Sequence, residues 1–214
     1  MNDQSRTILN ERSKKMRAAS FDREETIEKI MNAFWEHGYE ATSIQVLEAA
    51  TGLKRQSLYN AFGNKDAMFE LASNRYDMAV SRKLFATLDH ADPVIALREF
   101  FAAQLAVLVD ADQPAGCFVA GGQQELANRS EGQLSEQMRA MIEEQHDQLV
   151  AAFERWKADG KIADETDTHA LSAIVMALVR GQAVLGRSSL SYPIIEQSAA
   201  LAPGLIERYL AAPT

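Results

Sequence analysis

Apolar residues recur every three or four positions along almost the whole chain, and this spacing is typical of α-helices. The first clear example follows Asp22, where Ile27, Ile30 and Phe34 fall on one helical face. No segment sustains the alternation of a β-strand, and only five of the 214 residues are proline. The pattern therefore predicts an all-α protein of about nine helices.

Small polar residues and glycines mark where these helices begin and end. Asp22, Asn64 and Asp92 precede apolar repeats and are residue types that cap helix N-termini. Gly38 and Gly52 follow the first two repeats, at positions where helices commonly stop. The first four helices are therefore predicted to be a long helix, two short ones and another long one.

Composition argues against a secreted or membrane protein. A single cysteine, Cys117, cannot form an internal disulfide, which favours a reducing compartment. No run of about 18 apolar residues is present, and the N-terminus lacks the apolar core of a signal peptide. We therefore expect a cytoplasmic protein with no membrane partner.

Charge is spread unevenly along the chain. The whole chain carries a net charge of -8, whereas residues 1–20 hold five cations and two acids. This segment is predicted to be a flexible basic arm. A basic end on an acidic body indicates that an anionic partner would approach from the N-terminal side.

The stretch "TSIQVLEAATGLKRQSLYNAFGNKD" contains two short predicted helices joined by a turn at Gly52. A longer helix precedes them, which is the outline of a helix-turn-helix. In that motif the second helix enters the DNA major groove with its N-terminal residues on the base edges. Four hydrogen-bonding side chains stand at that helix start: Lys54, Arg55, Gln56 and Ser57.

Flanking residues are suited to the phosphate backbone, since hydroxyl and ammonium groups hold a protein in position on DNA. Tyr59 offers a hydroxyl on a rigid ring, and Lys65 places a cation where its own helix dipole does not favour one. Thr42 or Ser43 would cap the second helix and donate to phosphate. The predicted DNA contacts are Thr42, Ser43, Lys54, Arg55, Gln56, Ser57, Tyr59, Asn60 and Lys65.

This stretch, extended to "TSIQVLEAATGLKRQSLYNAFGNKDAMFELA", resembles the signature of TetR-type transcriptional regulators. The preceding "IMNAFWEHGYEATS" is similar to the first-helix pattern of that family, and the close resemblance covers residues 22–75. The sequence departs from the common pattern at Leu53, Lys54 and Arg55, and at Leu47 and Glu48. These departures leave the preferred operator sequence open.

The resemblance implies a homodimeric repressor that binds palindromic, double-stranded operator DNA and responds to a small-molecule effector. It implies a helix-turn-helix DNA-binding domain at residues 21–66 and a helical ligand-binding and dimerisation domain at residues 67–214. The last two helices would pair with their copies. The apolar segment "ALSAIVMALVRGQAVLG" suits such an interface or a central core position.

A regulatory pocket should be mostly apolar with a few polar groups. The candidates lie on the helices after residue 92, although each is equally consistent with a core or surface position. They are Phe100, Phe101, Gln104, Cys117, Phe118, Gln124, Glu125, His146 and Trp156. No cofactor is predicted, and the four histidines show no metal-ligand spacing.

Three alternatives follow from individual residues. Cys117 stands at a predicted helix start, where a thiolate is favoured, so the protein could sense oxidants or electrophiles instead of binding a ligand. Arg180 lies inside an apolar run. Its open interpretations are a cation in the pocket, an anchor across the dimer, or an arginine paired with a carboxylate at the edge of the interface. A helical adaptor without DNA binding would not need Lys54, Arg55 or Tyr59. An enzyme is not predicted, because no catalytic motif is present.

Overall fold

The computed structural model describes residues 21–126, 132–188 and 192–209, and these ranges contain nine helices and no strand. The all-α prediction is therefore confirmed. The predicted basic arm at residues 1–20 lies outside the described residues.

The helices are named in chain order. Their bounds are α1 (Arg23–Ala41), α2 (Ile44–Thr51), α3 (Arg55–Phe62), α4 (Lys65–Tyr76, continuing through a π-helical segment at Asp77–Ser81 to Arg82–Ala86), α5 (Pro93–Val109), α6 (Phe118–Leu126), α7 (Gln133–Ala158), α8 (Thr168–Leu185) and α9 (Tyr192–Ile206). Short 3-10 turns follow α4 at Thr87–Asp89 and α9 at Glu207–Tyr209.

The helix starts agree with the predicted caps. Asp22, Asn64 and Asp92 each accept hydrogen bonds from backbone N–H groups in the first turn of the helix that follows. Gly38 interrupts α1 with a φ of 79°, a left-handed conformation that favours glycine. The last turn of α1 is therefore set apart from the helix before it.

Two adjoining apolar cores hold the helices together. The first core lies among α1 to α4 and also takes in Phe118, Val119 and Leu126 of α6. The second lies among the end of α4 and helices α5, α7, α8 and α9. Because α6 completes the first core, the helix-turn-helix unit packs directly against the C-terminal helices.

Large apolar side chains remain exposed on α8 and α9. They are Ile174, Val184, Leu185, Ile194 and Leu201. By length and composition alone, Thr168–Leu185 could cross a membrane, although a helix packed inside a protein meets the same criterion. In the described part of the chain, α8 packs against α7 and α9, and its inward residues are buried.

Candidate DNA interface and effector site

The first turn of α3 presents its polar side chains to solvent. Lys54, Arg55, Gln56 and Ser57 are all exposed, whereas Leu58 is completely buried on the other side of the helix. The four donors predicted to contact DNA therefore lie together on one accessible surface. This surface, with Tyr59 and Asn60, is called the recognition face.

Two contacts from α2 position the start of α3. Lys54 occupies the N-cap position without a side-chain cap, and Glu48 of α2 instead accepts the N–H of Arg55 at 2.8 Å. The hydroxyl of Thr51 accepts the N–H of Leu53 at 3.2 Å. Because Glu48 supplies this acceptor, the Lys54 side chain takes no part in capping α3, and α3 is tied to α2.

Contacts along α3 order the side chains of the recognition face. The Arg55 guanidinium lies 5.4 Å from the centre of the Tyr59 ring, within the range of a cation–π contact. Gln56 donates to the side-chain oxygen of Asn60 at 3.0 Å. Residues four apart share one helical face, so these pairs reduce the conformational freedom of the groups expected to contact DNA.

The side chain of one predicted DNA contact lies away from the protein surface. The Thr42 side chain is completely buried, and its hydroxyl donates to the carbonyl of Gly38 at 2.6 Å. This hydroxyl points back into α1 and is not available to phosphate. Ser43 is exposed and caps α2 by accepting the N–H of Val46 at 3.3 Å.

Lys65 lies at the start of α4 and is half-buried. Its ammonium donates to the carbonyl of Glu40 at 3.3 Å and lies 4.4 Å from the centre of the Tyr39 ring. The Tyr39 hydroxyl donates in turn to Asp66. Lys65 therefore contacts the segment that joins α1 to α2, and its predicted phosphate contact stays a prediction.

A group of polar side chains meets inside the protein beside the π-helical segment of α4. The Tyr76 hydroxyl and an N–H of Arg180 each donate to the sulfur of Cys117 at 3.5 Å. Arg180 also donates to Gln145, whose amide donates to Ser81 at 3.4 Å. These five residues, from α4, α7, α8 and the residue before α6, are called the buried polar cluster.

The cluster contains a guanidinium with incomplete hydrogen bonding. Nε of Arg180 is buried without a hydrogen-bond partner, and within the described residues no carboxylate forms an ion pair with it. Burial raises the pKa of Tyr76 well above its ordinary value, and Cys117 adds to this rise, whereas Arg180 opposes it. Tyr76 therefore remains a protonated hydrogen-bond donor at neutral pH.

The residues predicted to bind an effector do not converge on one pocket. Phe100, Phe101 and Trp156 fill the second core, and the Trp156 indole donates to the carbonyl of His90 at 3.0 Å. Cys117 and Phe118 belong instead to the first core. These five residues therefore lie in two different cores, and their predicted role in binding an effector stays a prediction.

The polar predictions are also scattered. Gln104 is buried in α5, and Gln124 is exposed on α6. The His146 ring lies 5.8 Å from that of His169 near the protein surface. Glu125 accepts the N–H of Glu40 at 2.9 Å, so it contacts the DNA-binding helices instead of a ligand cavity.

A groove between α6 and α7 is better placed to hold a small molecule. Its volume is about 310 Å³, close to the lower limit for ligand pockets. Its lining mixes apolar side chains with charged ones at the rim. The residues are Gln123, Leu126, Ser135, Met138, Arg139, Ile142 and Glu143. No sequence motif identified them, because the groove exists only where two helices meet.

Comparison with known protein families gives two matches along this chain. The profile described as "Bacterial regulatory proteins, tetR family" matches residues 27–72, which include the recognition face. The profile described as "Tetracyclin repressor-like, C-terminal domain" matches residues 93–189. Together the two profiles cover most of the chain.

A characterised relative is similar over nearly the whole length. The HTH-type transcriptional repressor ComR of Escherichia coli K12 is 31% identical over 181 residues, which are 84% of this chain and 86% of ComR. A shorter similarity, 42% identity over 57 residues, links the chain to the HTH-type transcriptional repressor AcnR of Corynebacterium glutamicum. This second match covers 27% of this chain and 30% of AcnR.

Solved structures share the fold. A TetR transcriptional regulator from Chloroflexus aurantiacus has a TM-score of 0.77 at 24% identity, over 88% of this chain and 95% of that one. A cysteine mutant of the TetR-family regulator CifR, solved with a 26 bp operator duplex, has a TM-score of 0.73 at 25% identity. That match covers 85% of this chain and 97% of the CifR chain.

Proposed function

The chain belongs to the tetR family of bacterial regulatory proteins and is a DNA-binding transcriptional repressor, and from this premise we propose how it works. The recognition face of α3 contacts operator bases, and a small molecule bound by the C-terminal helices releases the protein from DNA. The protein acts in the cytoplasm. The relatives it resembles are named as regulators and not as enzymes or adaptors.

The observation that carries this proposal is the exposed donor set at the start of α3. Arginine and lysine pair with guanine, and glutamine pairs with adenine, when they reach the major groove. Glu48 and the side-chain pairs along α3 hold these donors before DNA arrives. Pre-ordered donors lose less entropy on binding, which suits specific recognition.

The apolar surface of α8 and α9 supports a homodimer. Val184 is 60% exposed and Leu201 is 74% exposed, which is unfavourable in water unless a partner covers them. A two-fold dimer would place two recognition faces about 34–36 Å apart, one turn of DNA. Light scattering should give a dimer for the wild type. Val184→Glu combined with Leu201→Glu should shift the mass toward the monomer.

For the effector, we propose the groove between α6 and α7. A ligand lowers DNA affinity only if it binds the free conformation better than the DNA-bound one. The groove is suited to this role because α6 contacts the DNA-binding helices through Glu125, while Met138 and Ile142 lie across from it on α7. Helix α4 joins the two parts of the chain, so its movement would change the separation of the recognition faces.

The direct test is selection of DNA from a random-sequence duplex library by purified protein. We expect enrichment of a palindromic site, followed by a footprint on the DNA upstream of the protein's own gene. Failure to enrich any sequence would refute operator recognition. Arg139→Ala together with Ile142→Trp, at a partly buried residue of the groove, should block effector response without loss of operator binding, whereas an unchanged response would place the effector elsewhere.

A second mode of release is favoured by the surroundings of Cys117. The Arg180 guanidinium and the Tyr76 hydroxyl each donate to its sulfur at 3.5 Å, so a change at the sulfur would be felt by both side chains. Attack of the thiolate on a hydroperoxide forms an S–O bond and breaks the O–O bond. The leaving hydroxide or alkoxide takes up a proton. The resulting sulfenic acid would disturb the hydrogen bonds of the buried polar cluster.

This oxidant-sensing mode is tested with hydrogen peroxide and the selected duplex. One equivalent should release the wild-type protein and add one oxygen atom to Cys117 by mass spectrometry. Cys117→Ser should stay bound at the same peroxide concentration. If Cys117→Ser dissociates from the duplex under peroxide, or if the oxidised wild type stays bound, Cys117 is not the sensor.

A further inference from the structure

Glu125, near the end of α6, reaches across to the segment between the first two helices. Its carboxylate accepts the backbone N–H of Glu40 at 2.9 Å. The same carboxylate occupies the space beside Gly38, where an added Cβ would lie 1.8 Å from an Oε1 atom of Glu125. The positive φ of Gly38 favours glycine at this position, and an added side chain there would displace the Glu125 carboxylate.

The backbone of Glu40 is contacted from two sides. Glu125 of α6 accepts its N–H, and Lys65 of α4 donates to its C=O at 3.3 Å. Both contacts involve a charged side chain, and charge-assisted hydrogen bonds are stronger than neutral ones. Residues 38–43, here called the α1–α2 link, are thus held by the two helices that connect with the C-terminal part of the protein.

The α1–α2 link determines where the recognition face lies. It leads to Ser43, the cap of α2, and α2 is tied to α3 through Glu48. A displacement of the link would carry α2 and α3 together. Because bidentate base contacts require accurate placement of the side chains, a small displacement would weaken specific binding more than non-specific binding.

We propose that Glu125 is a positioning residue for operator binding, which holds the α1–α2 link through the N–H of Glu40. The inference rests on the proposed function, since it assumes that α3 contacts the operator. If Glu125 has this role, α6 connects the groove directly with the α1–α2 link. This helix starts beside Cys117, lines the groove, and near its end places Glu125 on the link.

The test compares two variants with a matched control on the same helix. Glu125→Ala removes the acceptor, and Glu125→Gln keeps an acceptor oxygen of nearly the same reach. Gln124→Ala, one residue away, truncates an exposed side chain. Affinity is measured for the duplex selected by the wild type and for a scrambled duplex, and hydrogen exchange is followed at the N–H of Glu40.

We expect Glu125→Ala to bind the selected duplex about tenfold more weakly, the change typical of one lost charge-assisted hydrogen bond. Binding of the scrambled duplex should change by less than about twofold, because phosphate contacts tolerate small displacements. Exchange at Glu40 should accelerate in Glu125→Ala and less in Glu125→Gln, which keeps an acceptor but loses the charge. Gln124→Ala should resemble the wild type in both measurements.

Equal affinity of Glu125→Ala and wild type for the selected duplex would overturn this inference and leave operator recognition intact. A wild type that selects no duplex would instead overturn the proposed function. Should Glu125→Ala fail to fold, Glu125→Asp decides the matter, because it keeps the charge and shortens the reach. A roughly tenfold loss of affinity in Glu125→Asp supports the inference, and wild-type affinity refutes it.

Discussion

The recognition face and the buried polar cluster differ in how the chain builds them. The recognition face comes from one short helix, and its donors are neighbours in sequence and exposed. The buried polar cluster brings together distant residues, since Cys117 lies 41 residues from Tyr76 and 63 from Arg180. A site made by one helix can be found from its sequence, whereas a site made by packing cannot.

The two regions should also respond differently to substitution. Exposed side chains of the recognition face contribute little to the folded state, so their loss should affect DNA binding alone. Side chains of the buried polar cluster hold helices together, so their loss should lower the free energy of unfolding. Four substitutions test this contrast, one in each region and two at contacts that support the DNA-binding helices.

Arg55→Ala should have the largest effect and leave stability unchanged. Loss of a bidentate contact with guanine costs about 1–3 kcal/mol of specific binding. Fluorescence anisotropy with the selected duplex measures this loss, and Lys83→Ala, at an exposed cation on the last part of α4, is the control. If both variants bind like the wild type, the recognition face is misassigned.

Glu48→Ala tests whether one residue can contribute both to DNA binding and to the free energy of unfolding. It removes the acceptor for the N–H of Arg55, and the loss of a helix cap costs about 1 kcal/mol. We expect weaker specific binding and a lower free energy of unfolding by urea. Glu48→Gln keeps an acceptor and should lose less of both. An unaltered Glu48→Ala protein would show that the cap is dispensable.

Lys65→Ala should have a smaller effect on DNA binding, with one part common to all sequences and a second part confined to the selected duplex, because Lys65 also holds the α1–α2 link. If the ammonium contacts a phosphate, affinity for all sequences falls, and the slope of log affinity against log salt concentration flattens by about one. Measurements at several salt concentrations decide this. A slope equal to that of the wild type would assign Lys65 to the α1–α2 link alone.

Tyr76→Phe should have the smallest effect, and that effect should depend on pH. The lost hydrogen bond to sulfur is weak, so the free energy of unfolding should fall by about 0.5 kcal/mol below pH 10. Burial raises the pKa of Tyr76 in the folded protein, whereas in the unfolded chain the phenol ionises near pH 10.0. Wild-type stability is therefore retained below that pH and falls above it.

The comparison of urea unfolding at about pH 9 and about pH 11 isolates this effect. The difference in stability between wild type and Tyr76→Phe should shrink and then change sign as pH rises, because ionisation of this phenol in the unfolded chain lowers the stability of the wild type alone. A difference that stays constant across this range would mean that Tyr76 titrates normally. DNA binding at neutral pH should be the same for both proteins.

Much of the fold could be predicted from local signals. Apolar spacing predicted the helices, and Asp22, Asn64 and Asp92 marked helix starts because a cap acts within one turn. The exposed donors of α3 were found for the same reason. Thr42 and Ser43 both looked like caps, and only packing against α1 determines that Thr42 is buried.

The effector region could not be predicted in this way. Trp156 and Phe118 are equally apolar in sequence, yet they occupy different cores. Glu48 and Glu125 carry no motif, because each acts on the backbone of another helix. Such contacts depend on the angle and position at which helices cross, and these are properties of the whole fold.

The π-helical segment at Asp77–Ser81 also bears on the rotational phase between the two ends of α4. A π-turn holds one more residue than an α-turn, and each residue of an α-helix turns its direction by about 100°. Because the wider turn absorbs its extra residue, removal of one residue there would give a regular α-helix whose two ends keep nearly the same orientation. Removal of one residue from a regular part of α4 would instead turn the DNA-binding helices by about 100° about the axis of α4. The chain thus carries, in this segment, a residue that can be lost without changing which way the protein faces its DNA.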